Sequence, residues 1–125
     1  LAVAATTDSV VHIFDLTDTP TARRLSPIAR LPTPGGPDNL TYDAEGILLA
    51  AVHPSLWRLG LYRYGFRDQA PSRLVAVHPD GGTRLLWDHD GSLISGATVG
   101  LAGPPGIVLG SVRDGGIALC GGPKS

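Results

Sequence analysis

Short apolar runs, each closed by glycine, proline or small polar residues, recur along this chain in a fixed order. The run at 1–5 is followed, past Thr7-Asp8, by an alternating run at 9–15 and a more polar one at 24–30. A second cycle places runs at 47–52, 72–78 and 83–87, and a third at 107–112 and 116–120. Apolar and polar positions alternating over a few residues between glycine and proline breaks predict short β-strands. No segment keeps a helical period over three turns. The pattern predicts an all-β protein.

Each cycle reads as a small-residue strand, a turn, an alternating strand and a more polar one. Val3, Leu49 and Leu109 hold equivalent places, at spacings of 46 and 60 (49−3 and 109−49). The excess in the second spacing falls in one insertion at 54–71. Repeats of about 40–50 residues with about four strands each are the mark of propeller blades. On that reading 1–31 ends one blade, 32–93 is a full four-stranded antiparallel blade, and 94–122 starts the closing one. The stretches 38–42 and 95–101 become innermost strands, where alanine and glycine suit the narrow centre. Two or three blades leave edges and faces uncovered, so the expectation is the C-terminal part of a six-bladed β-propeller. The chain has no methionine and opens in mid-pattern, which fits a piece of a longer protein.

Composition narrows this picture. Seventeen glycines and eleven prolines in 125 residues suggest disorder only if apolar content is low, and it is 42%. A formal charge of −1 leaves no footprint for nucleic acid, and Arg23-Arg24 reads as a solvated strand face. No apolar run approaches a membrane span, and no signal peptide is in view. The single cysteine, Cys120, cannot form a disulfide within the chain. It is either a small buried hydrophobe or half of a bridge to a partner elsewhere.

Residues 56–66 hold four of the seven aromatic residues. They read as a long loop at the rim of the central mouth. Such a loop either packs its own side chains over the blade or walls a substrate site.

The candidate chemistry gathers near Gly35-Gly36-Pro37-Asp38-Asn39-Leu40. Adjacent carboxylate and carboxamide oxygens on a strand mouth suit a hard cation such as calcium. The same pair also supplies ordinary turn chemistry. His53 ends the next strand at the same mouth, as a general base, a substrate contact or a turn-bonded histidine. The hydroxyls of Ser95-Gly96-Ala97-Thr98 begin another inner strand there. Other classes are excluded or weak. Ser92, Ser95 and Ser111 lack the glycines of a nucleophile elbow, and no Cys/His zinc spacing exists. Asp88-His89-Asp90-Gly91 lacks the remaining ligands of a calcium loop and reads as a hairpin turn. His78-Pro79-Asp80-Gly81-Gly82 is turn chemistry, and Gly103-Pro104-Pro105-Gly106 is a tight turn with no helix to cradle phosphate.

Pro37-Asp38-Asn39-Leu40, Tyr42-Asp43-Ala44-Glu45-Gly46, Val52-His53-Pro54-Ser55-Leu56, Ile94-Ser95-Gly96-Ala97-Thr98-Val99, Leu109-Gly110-Ser111-Val112 and Ala118-Leu119-Cys120 form an ordered set. Together with the stretch 68–75, this set resembles the last blades of the paraoxonase-type arylesterases, relatives of the gluconolactonase and strictosidine synthase-like propellers. The resemblance covers nearly the whole chain. It implies a calcium in the central channel and hydrolysis of aryl esters and lactones. It assigns calcium ligands to Asp38 and Asn39, a channel-lining role to His53, and a lining hydroxyl to Thr98. It also implies that Cys120 pairs with a cysteine near the parent's N-terminus, which calls for a secreted or membrane-anchored parent. The other ligands and the family's histidine pair belong to earlier blades, which this chain does not contain.

The mechanism so implied has calcium polarising the substrate carbonyl and stabilising the oxyanion while a histidine-activated water attacks. Trp57, Leu61, Tyr62 and Phe66 are expected to form an apolar rim for the substrate. Two alternatives remain. One is a calcium-stabilised propeller that serves as a binding or scaffold module. The other is a strictosidine synthase-like enzyme, which calls for an acidic rim residue in place of the histidine.

Overall fold

The computed structural model describes residues 1–121. The last residue of the expected third unit, 122, lies outside the described residues. The chain is mainly β, in three antiparallel sheets with one short helix.

The first sheet is a meander of β1 (Ala2–Ala5), β2 (Val10–Asp18) and β3 (Arg23–Pro32). The second has four strands in sequence order, β4 (Gly36–Tyr42), β5 (Leu48–His53), β6 (Ser72–Val77) and β7 (Thr83–His89). The third joins β8 (Ala97–Gly103), β9 (Gly106–Ser111) and β10 (Ile117–Cys120). Helix α1 (Leu56–Arg63) sits in the β5–β6 connection.

The second sheet is the centre of the molecule. All six residues of β5 are buried, because both faces of its sheet are covered. The strand period of two splits its side chains. Leu48, Ala50 and Val52, with Val75 and Val77 of β6, pack against Val11 and Leu31 of the first sheet. Leu49, Leu74 and Ala76 pack the other way, against Ala97, Ile107 and Leu109 of the third. A strand buried on both faces reads as a continuous apolar run, which is why β5 is so plain in the sequence. Full burial of a leucine side chain such as Leu49 or Leu74 contributes about 1.5–3 kcal/mol.

The stretch 56–66 is not a loop over its length: its first part is α1. Ser55 caps the helix, its Oγ accepting the Arg58 N–H at 3.3 Å. Gly65, at φ +79°, ends it. Phe66 N–H donates to the Leu61 carbonyl at 2.8 Å and Gly65 N–H to the Tyr62 carbonyl at 3.1 Å. That pair of bonds is the glycine-terminated C-cap of many helices. Two turns are too few for a period that needs three to stand out. Other boundaries shift slightly. The strand expected from Ser95 begins at Ala97, since Ser95 and Gly96 form the bend before it and Gly96 has φ +55°.

Two β-bulges place the site. Between β4 and β5 the register passes from Pro37↔Val52 to Leu40↔Ala50, which leaves one extra residue around Asp38-Asn39. Between β8 and β9 it passes from Ala97↔Ser111 to Val99↔Gly110, which makes Thr98 the extra residue. A bulge re-aims side chains and is common beside functional sites.

Candidate functional site

A cleft of about 260 Å³ opens where the bulges of β4 and β8 meet the end of β5, the C-terminal half of α1 and the β9–β10 turn. Asp38, Asn39, His53, Tyr62, Thr98 and Arg113 are among its lining residues. Strands β4 and β8 are tied to each other by side chains. Asn39 Nδ2 donates to the Thr98 carbonyl at 3.0 Å, and Thr41 Oγ1 to the Gly100 carbonyl at 2.6 Å. On the other side of β4, Thr6 Oγ1 donates to the Pro37 carbonyl at 2.7 Å.

His53 is 1% exposed, and its Nε2 stands 3.2 Å from Asp38 Oδ2, whose side chain is 37% exposed. An ionised carboxylate only accepts, so the proton of this bond belongs to Nε2. Nδ1 is then buried without a partner. The carboxylate is the accessible member of the pair, and the ring lies behind it.

Asp38 keeps Oδ1 for a ligand, and Asn39, whose nitrogen is committed to Thr98, keeps its carboxamide oxygen. These two hard oxygens fit one edge of a calcium shell, which takes six to eight. Among the described residues there is no group of three or more His, Cys, Asp or Glu side chains placed to hold a metal.

The expected apolar rim is mostly elsewhere. Only Tyr62 of the four rim residues lines the cleft. Trp57 is 76% and Phe66 77% exposed, and Leu61 is half-buried outside the lining. The reason is helical spacing: residues three apart share a face, so Leu59 and Tyr62 meet the cleft and Trp57 turns away from it. Ser95 does not offer a free hydroxyl either. Its Oγ donates to the Gly91 carbonyl at 2.7 Å. Thr98 lines the cleft, and its Oγ1 makes a long hydrogen bond to the Gly110 carbonyl at 3.5 Å.

Two charged lining residues were absent from the expectations, Arg63 and Arg113. Arg113 Nη1 donates to the Tyr62 carbonyl at 2.7 Å and to the Arg63 carbonyl, capping the last turn of α1, and its guanidinium lies 5.1 Å above the Tyr62 ring. Tyr62 Oη donates to Asp114 Oδ1 at 3.0 Å. Burial first, and then that bond, raise the phenol above its usual range. No local pattern announces these contacts, which join residues about fifty positions apart.

A larger groove, about 500 Å³, lies between α1 and the far end of β7, lined by Arg58, Arg73, Asp88 and Asp90 among others. Arg73 Nε donates to Asp88 Oδ1 at 3.0 Å. Asp90 is held below its usual carboxyl range chiefly by hydrogen bonds from Ser92. Its carboxylates thus already have partners, and the smaller cleft is the better candidate. The expected Asp88–Gly91 turn is partly strand, since β7 runs to His89. Cys120 is a free, half-buried thiol beside the core at Ile107 and Leu109.

No protein-family model and no curated protein matches this chain.

Proposed function

We propose that this chain forms the closing blades of a six-bladed propeller of the paraoxonase, gluconolactonase and strictosidine synthase-like kind, and that the whole is a calcium-dependent hydrolase of aryl esters or lactones. The observation that carries the reading is the convergence of Asp38, Asn39 and Thr98, each at a bulge of a neighbouring strand, on one cleft backed by the buried His53. Two features of the fold support it. The second sheet is a four-stranded antiparallel meander, and its first strand lies against the first strands of the sheets on either side. The outer sheets leave large apolar side chains uncovered, Leu25 and Ile28 on one and Ile117 and Leu119 on the other, as expected where further blades pack.

In this reading Asp38 and Asn39 would hold calcium, which would supply a Lewis acid for the ester carbonyl. His53 is a positioning residue: its N–H fixes one carboxylate oxygen so that the other faces the cleft. Thr98 lines the wall where the substrate lies, and Tyr62 closes it from α1.

Calcium titration of the full-length protein tests this, following the thermal midpoint and the hydrolysis of phenyl acetate and a simple lactone. A rise in midpoint together with hydrolysis is the expected result. A rise without turnover makes the protein a calcium-stabilised binding module, and neither change reduces Asp38-Asn39 to a turn.

A further inference from the structure

The sequence leads one to expect an apolar wall for a greasy substrate, and the cleft has a cationic one. Two arginines, Arg63 and Arg113, are among its lining residues against a single carboxylate, Asp38, which already accepts from His53. Neither arginine forms an ion pair among the described residues, where Arg23 and Arg73 do. Asp114, the residue after Arg113, forms no ion pair with either arginine among the described residues. Its Oδ1 accepts from Tyr62 and its Oδ2 from the Ser95 N–H at 2.6 Å.

Arg113 is held in place by neutral partners, the carbonyls of Tyr62 and Arg63, with its plane over the Tyr62 ring. Those bonds use Nη1 and leave its charge unneutralised. Capping α1 accounts for the position of Arg113. Arg63, the last residue of α1, has an exposed side chain with no hydrogen bond among the described residues, and the residue borders the same cleft as Asp38, Asn39 and Thr98.

We infer that the substrate carries a carboxylate, bound by Arg63 and Arg113 at the α1 side of the cleft while its ester or lactone carbonyl lies toward Asp38, Asn39 and Thr98. A planar guanidinium fork matches a carboxylate in shape as well as charge. The inference rests on the hydrolase reading for the ester or lactone part, and on the two unpaired arginines for the anionic part.

The two parts are tested separately. Calorimetry on the full-length protein compares benzoate with benzamide, a neutral ligand of similar shape. Kinetics compares kcat/KM for 4-acetoxybenzoate with that for phenyl acetate. Benzoate is expected to bind about tenfold more tightly than benzamide, the size of one charge-assisted hydrogen bond. Arg63→Gln should remove most of that preference, and Arg63→Lys should retain much of it. Added salt should weaken benzoate and leave benzamide unchanged. Equal binding of the two ligands overturns the inference, as does a preference that survives Arg63→Gln, since a carboxylate on calcium alone behaves that way. A benzoate preference with no ester turnover leaves the anion site standing and removes the hydrolase reading. Turnover of phenyl acetate with no benzoate preference does the reverse.

Discussion

His53 Nε2 and Asp38 Oδ2 lie 3.2 Å apart, joining the last residue of β5 to the bulge of β4. The ring is buried and the carboxylate is not. Removing the carboxylate therefore leaves a buried N–H without its acceptor, while removing the ring frees the carboxylate to turn.

Asp38→Ala is expected to abolish calcium-dependent hydrolysis and to erase the calcium-induced rise in thermal midpoint. In calcium-free buffer it should cost about 1–2 kcal/mol, the loss of one half-exposed hydrogen bond to a charged group. Urea denaturation with and without calcium measures both effects. If Asp38 only shapes a turn, hydrolysis survives.

The approach to that bulge depends on Gly35. At φ +132° its backbone suits no L side chain, and an added Cβ would stand 2.5 Å from the His53 carbonyl oxygen and 2.9 Å from Val52 Cγ1. Gly35→Ala should cost about 3 kcal/mol or more, from backbone strain and overpacking together. Gly46→Ala is the control. Gly46 has φ +80° but nothing within 4 Å of its Cβ position, so only about 1–2 kcal/mol of strain is expected. Denaturant midpoints of the two variants, read side by side, give the difference.

What was legible in the sequence follows from what is local. Strand β5 announces itself, because burial on both faces leaves an unbroken apolar run from Leu48 to Val52, and β6 does so over Leu74 to Val77. Asp38, Asn39, His53 and Thr98 stand next to strand breaks and could be picked out by residue type. The bulges that bring them together could not, since one extra residue in a ladder leaves no compositional mark. Helix α1 was hidden by its length of eight residues, although Ser55 and Gly65 are ordinary helix signals. Reading 56–66 as a loop then sent Trp57 and Phe66 to a rim they do not reach. It also passed over Arg63, which gains meaning only beside Arg113 of another sheet.

Another cross-sheet tie is carried by Ser72. Its side chain is fully buried, and its Oγ accepts the Ala97 N–H at 2.7 Å, fixing the start of β8 to the start of β6. Ser72→Ala strands a buried donor, at about 1–3 kcal/mol. Faster hydrogen exchange at the Ala97 amide, together with a lower denaturant midpoint, is the expected signature. An unchanged exchange rate would show that the tie is dispensable.

Tyr62 closes the cleft from α1 and supplies the pH prediction. Its phenol is raised above 10.0, by burial first and by the bond to Asp114 second, with Arg113 opposing. The folded state therefore keeps the phenol proton at pH values where the unfolded chain has lost it. The stabilisation is complete below about pH 10, the unfolded value, and is lost as pH rises through the folded one. Tyr62→Phe keeps the ring under Arg113 and removes only the hydroxyl. It should cost about 1 kcal/mol at neutral pH, the worth of one buried hydrogen bond. The gap between wild type and variant should then narrow as pH climbs above about 10. Denaturation midpoints of both proteins, measured from pH 7 upward, test this. A gap that stays constant with pH means the phenol titrates alike in both states, and the Tyr62–Asp114 bond does not then hold α1 to the β9–β10 turn.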